Sequence, residues 1–340
     1  MKKLISAVLA LVMAVSFVSC SNTGNEASNS QNEARQIILT DQAGRELTFD
    51  EPAQTIVSSY YITTYAAIAL GISDKIIGLE KKADKRPIYE LAAPELLGKE
   101  QVGSMKEFNV EAVASLNPDL VLLPKKLLNY AENLESLGIK VMVVNPESHN
   151  ELCQMLSLIG KACGAEDKAN ELIAYYESAL SRLAKLTDGK NKPTVYFASN
   201  SSYMSTATDE MYQASVITGA GGANAAHNIQ GNYWTDVSYE SILAMNPQVI
   251  VIPADADYTA DDIKNDSELK SIDAVKNDAV YQMPKGLEEW DSPVPSGILG
   301  TMWLTSKLHG DAYSMEEFKN DAKEFYQKFY GFELDTSILD

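Results

Sequence analysis

The chain has few of the residues that carry enzymatic chemistry. Three of its 340 residues are cysteines and three are histidines. It contains no Gly-x-Ser-x-Gly elbow, no His-Glu-x-x-His pair, no phosphate-binding loop and no Cys-x-x-Cys motif. The glycine-rich stretch at 219–222 lacks the spacing of a dinucleotide fingerprint and does not follow a predicted strand. We therefore expect no catalysis, no resident cofactor and no transition metal bound directly by side chains.

Basic residues are also scarce. The chain has 28 Lys and Arg against 47 Asp and Glu, a net charge of -19, which argues against nucleic acid and against binding an anionic membrane through a basic surface. A hydrophobic content of 45% with 22% charged residues indicates a soluble globular protein. Cys153 and Cys163 stand ten residues apart in one predicted helical region, too far along its axis for a disulfide. We predict that both are small buried side chains.

The N-terminus reads as a secretory segment. A pair of lysines precedes an apolar run at 4–18, which is short for a membrane span, and residues 1–19 are therefore predicted to be a signal peptide. Phe17-Val18-Ser19-Cys20 resembles the bacterial lipobox, which predicts a lipid on Cys20; the alternative is an ordinary signal with an incidental cysteine. Residues 20–36 are rich in Ser and Asn and suit a flexible tether. The protein is thus predicted to lie outside the cytoplasm, lipid-anchored to the bacterial cell membrane.

The folded body alternates strand and helix patterns, which predicts an α/β fold: two Rossmann-like lobes with parallel-type sheets. The N-terminal lobe is predicted at 37–163 and the C-terminal lobe at 189–340. Predicted strands are a hairpin at 37–49 and single strands at 56–58, 76–79, 120–123, 141–144, 194–197, 249–252 and 280–283. Predicted helices are 63–70, 110–116, 127–137, 151–163, 166–186, 210–218, 239–245, 298–308 and 315–329.

The helix at 166–186 is predicted to bridge the two lobes, within a linking segment at 164–188. Acidic residues begin it and basic residues end it, as the helix dipole favours. At about 1.5 Å per residue it is roughly 30 Å long, the width of a small domain. The alternative is one more helix inside a single domain. One helical face carries the apolar residues Ala169, Leu172, Ile173, Tyr176, Leu180 and Leu183.

An internal repeat flanks this helix. Residues 111–124 and 240–253 share one pattern of helix, Asn-Pro stop, buried strand and Pro, at a constant offset of 129. A residue before Pro tends to leave the helix, so common helix-to-strand chemistry could also produce the match. The repeat favours two related lobes on either side of the long helix.

A ligand site is predicted at the loops after the strands, because ligands of open parallel sheets gather at the carboxyl ends of the strands. Aromatic faces with a few cations suit a bulky ligand that carries negative charge. Taken singly, a loop aromatic more often packs and a lysine pair is more often solvated surface. The predicted ligand-binding residues are Tyr60, Tyr61, Lys81, Arg86, Ser104, Lys125, Tyr203, Tyr233, Trp234 and Trp290.

Several short segments follow one another in a characteristic order through residues 36–310. They include Leu39–Leu47, Pro52–Ser58, Ala69–Gly71, Ile76–Gly78, Asn117–Val121 and Gly221–Asn224. In this order they resemble the substrate-binding lipoproteins of ABC importers for ferric siderophores, haem and cobalamin. The segments 289–293 and 299–304 resemble a subgroup that includes molybdate and tungstate binders.

The resemblance implies two lobes on one rigid helix, small hinge motion, and delivery of a ligand to an ABC permease and its ATPase without chemistry. A metal chelate is the expected ligand, a ferric siderophore first and haem or cobalamin next. A molybdate-like oxyanion, held by Ser58, Ser104 and backbone donors, is the alternative. The expected protein is a monomer. Tyr65 and Ser215 stand where the family often has acidic permease-docking residues, so the docking contacts are not carried over.

Two further classes remain open from the residues. A chelatase-like enzyme would use His227 with Glu288 or Glu289, and requires these groups to converge in the cleft. A surface interaction protein would use the acidic exterior, for which no motif speaks.

Overall fold

Two parallel sheets and one long helix organise the protein. The computed structural model describes residues 36–231 and 233–339, which belong to one compact unit. The predicted signal peptide, the lipidation motif at Cys20 and nearly all of the predicted tether lie outside the described residues. None of the helices within the described ranges combines the length and apolar composition needed to cross a bilayer.

The N-terminal lobe contains the first seven strands and five helices. Its strands are β1 (Ile37–Thr40), β2 (Glu46–Phe49), β3 (Ile56–Ser58), β4 (Ile76–Leu79), β5 (Glu100–Gln101), β6 (Leu120–Pro124) and β7 (Lys140–Val144). Its helices are α1 (Tyr61–Ala69), α2 (Pro87–Ala92), α3 (Val110–Leu116), α4 (Ala131–Glu135) and α5 (His149–Cys163).

The C-terminal lobe follows the long helix α6 (Glu166–Thr187). Its strands are β8 (Thr194–Phe197), β9 (Ser205–Thr206), β10 (Ala223–Asn224), β11 (Thr235–Asp236), β12 (Val249–Ile252) and β13 (Val280–Gln282). Its helices are α7 (Tyr212–Gly219), α8 (Tyr239–Met245), α9 (Ala260–Asn265), α10 (Asp273–Lys276), α11 (Gly297–Leu308) and α12 (Met315–Phe329).

Both main sheets are parallel, as predicted. The first has the strand order β5-β4-β3-β6-β7 and the second β10-β8-β12-β13. The predicted hairpin is present, since β1 and β2 pair antiparallel. Side chains alternate between two faces along each strand: Val121 lies in a cluster on the outer face of its sheet, whereas Leu120 and Leu122 face the larger core. That larger core continues through both lobes without a break.

The long helix lies along this shared core. Ala169, Leu172, Tyr176, Ala179 and Leu183 are its buried positions, which confirms the predicted apolar face apart from the half-buried Ile173 and Leu180. The helix packs against α5 of the N-terminal lobe and against α7 and α11 of the C-terminal lobe. The predicted bridging helix is confirmed, whereas the domain bounds at 163 and 189 stay predictions.

The internal repeat has one geometry in both copies. Asn117 caps the C-terminus of α3 and Asn246 that of α8, and both residues adopt the left-handed conformation, with φ of 46° and 41°. The backbone N–H of Asp119 donates to the carbonyl and hydroxyl oxygens of Thr55. The N–H of Gln248, 129 residues on, donates to the same two oxygens of Thr194. The two lobes are therefore alike in detail where helix passes into strand.

One helix prediction was wrong in part. The segment predicted as a helix over 127–137 forms a 3-10 helix at Lys125–Tyr130 followed by the short α4. Leu127 is buried against the outer face of the first sheet while Leu128 is exposed, and Pro124 is extended where the segment begins. The tighter 3-10 turn brings Lys125 and Lys126 directly to the end of β6.

Candidate functional site

A small cavity lies at the carboxyl ends of the N-terminal strands, where the C-terminal lobe covers them. Its volume is about 40 Å³. Tyr60 follows β3, Lys125 and Lys126 follow β6, and Tyr233 and Pro293 come from the C-terminal lobe. The remaining lining residues are Met105, Pro124, Val144, Asn145, Pro146 and Glu147. The strand-end rule therefore located three of the predicted site residues, Tyr60, Lys125 and Tyr233, in one cavity.

Positive charge and aromatic surface meet in this cavity. The Nζ atom of Lys126 lies 4.2 Å from the centre of the Tyr233 ring, a cation–π contact between the two lobes. Within the described residues neither Lys125 nor Lys126 forms an ion pair, and both side chains are exposed. Burial raises the pKa of the Glu147 carboxyl, while the charge on Lys126 opposes that rise. The cavity can therefore attract an anion.

Arg86 lies one aromatic ring away from the cavity. Tyr60, a wall of the cavity, packs edge-to-face on Tyr61 with ring centres 5.0 Å apart, and the Arg86 guanidinium stacks 4.1 Å from the centre of the Tyr61 ring. The Nη1 atom of Arg86 lies 2.9 Å from Oε1 of Glu289, which belongs to the C-terminal lobe. The Tyr61 hydroxyl donates to Ser292 at 3.0 Å. These contacts fasten the two lobes together beside the cavity.

Buried carboxyl groups surround this contact. Glu80 accepts hydrogen bonds from the hydroxyls of Thr64 at 2.8 Å and Tyr89 at 2.6 Å, and burial raises its pKa. Burial raises the pKa of Asp291 to about 7. Glu288 accepts a hydrogen bond from the Tyr330 hydroxyl at 2.7 Å, and burial raises its pKa to about 7. Of these three carboxyl groups, Glu80 contacts Arg86 directly, at 3.2 Å from its Nε atom.

The structure does not bring all of the predicted residues into the cavity. Trp290 is only 2% exposed, and its indole N–H donates to the Tyr326 hydroxyl. Tyr203 packs on the outer face of the second sheet and donates to Asp266 at 2.9 Å. Lys81 pairs with Glu107 at the surface. Ser104 lies in the turn that leads to Glu107, and Trp234 packs on the shared core.

The groups required by the chelatase-like alternative lie apart. His227 is exposed and its Nδ1 lies 2.6 Å from Oδ2 of Asp209, in a groove of about 880 Å³ beside α6. Glu288 is buried against Tyr330, and Glu289 binds Arg86. Among the described residues no cluster of three or more His, Cys, Asp or Glu side chains has the geometry of a metal site.

Several residues in or beside the cavity were not predicted from the sequence. The loop Asn145–Glu147 follows β7 and forms one wall of the cavity. The strand-end rule that selected Tyr60 applies equally to this loop and would have found it. Tyr65, considered only for docking, is buried and donates to Glu289 at 3.0 Å. No local pattern predicts that contact, because 224 residues separate its partners.

Two parallel-sheet lobes on one long helix, with a cavity where strand ends meet the opposite lobe, define the class of two-lobed solute-binding proteins. The chain belongs to the periplasmic binding protein family, whose profile matches residues 56–287. Proteins of this family act outside the cytoplasm, which confirms the extracytoplasmic part of the localisation prediction.

Curated relatives cover most of the chain. An uncharacterized ABC transporter substrate-binding lipoprotein of Bacillus subtilis, YvrC, is 28% identical over 89% of this chain and 96% of its own length. The molybdate-binding protein MolA of Haemophilus influenzae is 26% identical over 86% of this chain and 90% of its own. The Fe(3+)-citrate-binding protein YfmC of Bacillus subtilis is 25% identical over 82% and 89%.

A solved structure supports the same assignment. A periplasmic solute binding protein from Veillonella parvula superposes with a TM-score of 0.74 at 26% identity, covering 89% of this chain and 95% of that one. The predicted family and fold are confirmed, and so is the predicted function at the level of the class: the chain is the substrate-binding component of an importer.

Proposed function

We propose that the protein captures a compact, anionic ferric chelate between its lobes and delivers it to an ABC permease. The observation that carries this proposal is the pair Lys125 and Lys126, which have no ion pair within the described residues and line one cavity with Tyr60 and Tyr233. Ammonium groups beside aromatic faces bind an anion with a bulky organic shell better than they bind a neutral solute. The relative named as an Fe(3+)-citrate-binding protein supports this class of ligand.

The volume of the cavity sets a condition on this proposal. A cavity of about 40 Å³ holds on the order of three waters, whereas pockets for organic ligands measure about 300–1,000 Å³. A chelate therefore requires the lobes to separate at the cavity. Arg86 and Glu289 must then part, because they join the two lobes beside it.

A tetrahedral oxyanion is the second candidate, and the same small volume favours it. Molybdate needs far less room than a chelate, and a relative is named as a molybdate-binding protein. Such an ion would take hydrogen bonds from Lys125, Lys126 and the Tyr60 hydroxyl. It would leave the contact between Arg86 and Glu289 closed.

Calorimetry on the purified protein separates the two candidates. The panel is ferric citrate, a ferric hydroxamate, haem, cobalamin, molybdate and tungstate. We expect ferric citrate to bind, and the variant Lys125→Ala/Lys126→Ala to bind about tenfold or more weakly, because each charged hydrogen bond contributes about 1.5–3 kcal/mol. Lys270→Ala, an exposed lysine outside the cavity, is the matched control. Binding of molybdate without any chelate would replace the first candidate with the second.

We also infer that Cys20 carries a lipid, that the protein performs no chemistry on its ligand and that it is a monomer. The lipobox-like sequence and the lipoprotein name of the Bacillus relative support the anchor. In cells, the wild type should fractionate with membranes and Cys20→Ala should not. Equal distribution of the two proteins would contradict the anchor, and sedimentation velocity tests the monomer.

A further inference from the structure

Arg86 is held on three sides by its own lobe. Its Nε lies 3.2 Å from Oε1 of Glu80. Its guanidinium face stacks on the Tyr61 ring, and its Nη1 donates to the Tyr65 hydroxyl at 3.1 Å. Glu80 is a fixed partner, because two hydroxyls of the same lobe also bind it and its side chain is 6% exposed. The N-terminal lobe therefore holds the Arg86 guanidinium in a fixed orientation, directed toward the other lobe.

The fourth partner of Arg86 comes from the C-terminal lobe. Oε1 of Glu289 accepts from Arg86, and Oε2 accepts from the Tyr65 hydroxyl at 3.0 Å. The Glu289 side chain is 30% exposed and lies on the loop between β13 and α11, so it can leave at less cost than Glu80. A ligand carboxylate could accept the same hydrogen bonds from the Arg86 guanidinium and the Tyr65 hydroxyl that Glu289 accepts here.

We propose that Glu289 is an internal competitor, which occupies on Arg86 the place of a carboxylate of the ligand. Displacement of Glu289 removes the ion pair that joins the two lobes there and lets the lobes part beside the cavity. This inference rests on the proposed function, because it assigns a carboxylate-bearing ligand to that site. It also makes Arg86 a residue that selects carboxylate ligands over neutral ones.

Two contacts place this event next to the cavity. Tyr61 stacks under Arg86 and touches Tyr60, which is a wall of the cavity. Ser292, on the same loop as Glu289, accepts the hydrogen bond of Tyr61. Pro293, the next residue, also lines the cavity. Glu289 is therefore joined to the cavity wall through a short stretch of one loop.

The accessibility of Arg86 tests the competitor without any knowledge of the ligand. Phenylglyoxal modifies free guanidinium groups, and mass spectrometry gives the rate at each arginine. In Glu289→Gln we expect Arg86 to react severalfold faster than in the wild type, while Arg182 in the same sample reacts at an unchanged rate. Tyr65→Phe, which removes the other partner of Glu289, should give a smaller increase. Glu107→Gln, which breaks only the surface pair with Lys81, is the control. An unchanged rate at Arg86 in a folded Glu289→Gln overturns the proposal.

Ligand experiments then separate this inference from the proposed function. In Glu289→Gln, metal-free citrate should slow the modification of Arg86, and failure to do so also overturns the competitor. Ferric citrate should bind Glu289→Gln about five- to tenfold more tightly than the wild type, and Arg86→Gln/Glu289→Gln should lose that gain. If the wild type binds ferric citrate and Glu289→Gln binds it equally, the competitor fails and the proposed function stands. If neither the wild type nor Glu289→Gln binds ferric citrate but citrate still protects Arg86 of Glu289→Gln, the proposed ligand is wrong. The role of Glu289 as a competitor is then retained.

Discussion

The Nε2 atom of His149 lies 3.1 Å from the hydroxyl of Thr301, so a residue at the start of α5 is joined to one in the middle of α11. The imidazole is buried between the lobes and packs edge-to-face on Tyr212, with ring centres 5.1 Å apart. Burial lowers its pKa to about 4. The ring is therefore a neutral part of the joint between the lobes.

Acid should weaken the protein through His149. The pKa of a histidine in the unfolded chain is near 6.5. Between pH 6.5 and about 4, His149 is therefore protonated in the unfolded chain but neutral in the folded one. Stability is therefore lost as the pH falls through this window, by about 2 kcal/mol at pH 5. Urea unfolding at pH 7.5 and pH 5 should show a smaller loss for His149→Gln than for the wild type. His227→Gln, at an exposed histidine, should behave as the wild type.

Glu288 should act in the opposite direction. Burial raises the pKa of Glu288 to about 7 in the folded protein, whereas in the unfolded chain it is 4.5. Between these pH values the folded chain therefore binds one proton more than the unfolded chain. Stability contributed by this proton is present below pH 4.5 and is lost as the pH rises to 7. Glu288→Gln imitates the protonated acid and should be more stable than the wild type at pH 8, by a few kcal/mol at most.

Part of that dependence should survive in Glu288→Gln, because burial also raises the pKa of Asp291 to about 7. Unfolding curves at pH 5, 6, 7 and 8 measure the remaining slope. Glu132→Gln, at an exposed position of α4, is the control. An identical slope in Glu288→Gln and the wild type would contradict the assignment.

The two Asn-Pro stops should respond differently to glycine. A residue other than glycine in the left-handed conformation costs about 1–2 kcal/mol, and Asn tolerates this conformation better than Ala. Asn117→Ala should therefore lose about 1 kcal/mol, and Asn246→Ala should lose more, because it also loses a side-chain hydrogen bond. Asn117→Gly should be near neutral. Asn246→Gly should lose stability, because Oδ1 of Asn246 accepts the backbone N–H of Asp273 at 2.9 Å. Equal unfolding midpoints for the two glycine variants would contradict this.

Ligand binding should change the separation of the lobes by only a few ångströms. The lobes share one core and one continuous helix, and His149 joins them near that helix, so opening is confined to the side where Arg86 meets Glu289. Spin labels on cysteines at the exposed Leu137 and Lys270, in a Cys20→Ser background, can measure the distance with and without ferric citrate. A large change in that distance would contradict the rigid-helix prediction.

The native thiols should not interfere with this labelling. Burial raises the pKa of Cys153 to about 11 and that of Cys163 to about 12, so both stay protonated at pH 7 and react slowly. Both are free, as the sequence predicts; Cys163 is buried as predicted, whereas Cys153 is half-buried.

Elements with a local signal at each end could be predicted from the sequence. The Asn-Pro stop predicts the end of α3, and the Ser314–Glu317 capping box begins α12, whose bounds match the prediction. The two-residue strands β5, β9, β10 and β11 were not predicted, because each exists only through its pairing with another strand. The sequence of such a short segment does not show which strand it pairs with.

The site follows the same division. Tyr60 and Lys125 line the predicted cavity because each follows the end of a strand, which is a local feature. Trp290 and Tyr203 have the same type of position but turn into packed surfaces, where Tyr326 and Asp266 satisfy their polar atoms. The pairing of Arg86 with Glu289 joins residues 203 apart. Only the folded chain determines which of two similar loop aromatics lines the cavity.

The 22 residues of α6 set an angle as well as a distance. Each residue of an α-helix adds about 1.5 Å of rise and about 100° of rotation. Insertion of one residue in α6 would therefore turn Glu289 away from Arg86 long before it moved the lobes far apart. Insertion of seven residues would restore the rotation to within about 20°. The seven added residues would also lengthen α6 by about 10 Å, so the number of residues in α6 fixes both the rotation and the separation of the lobes.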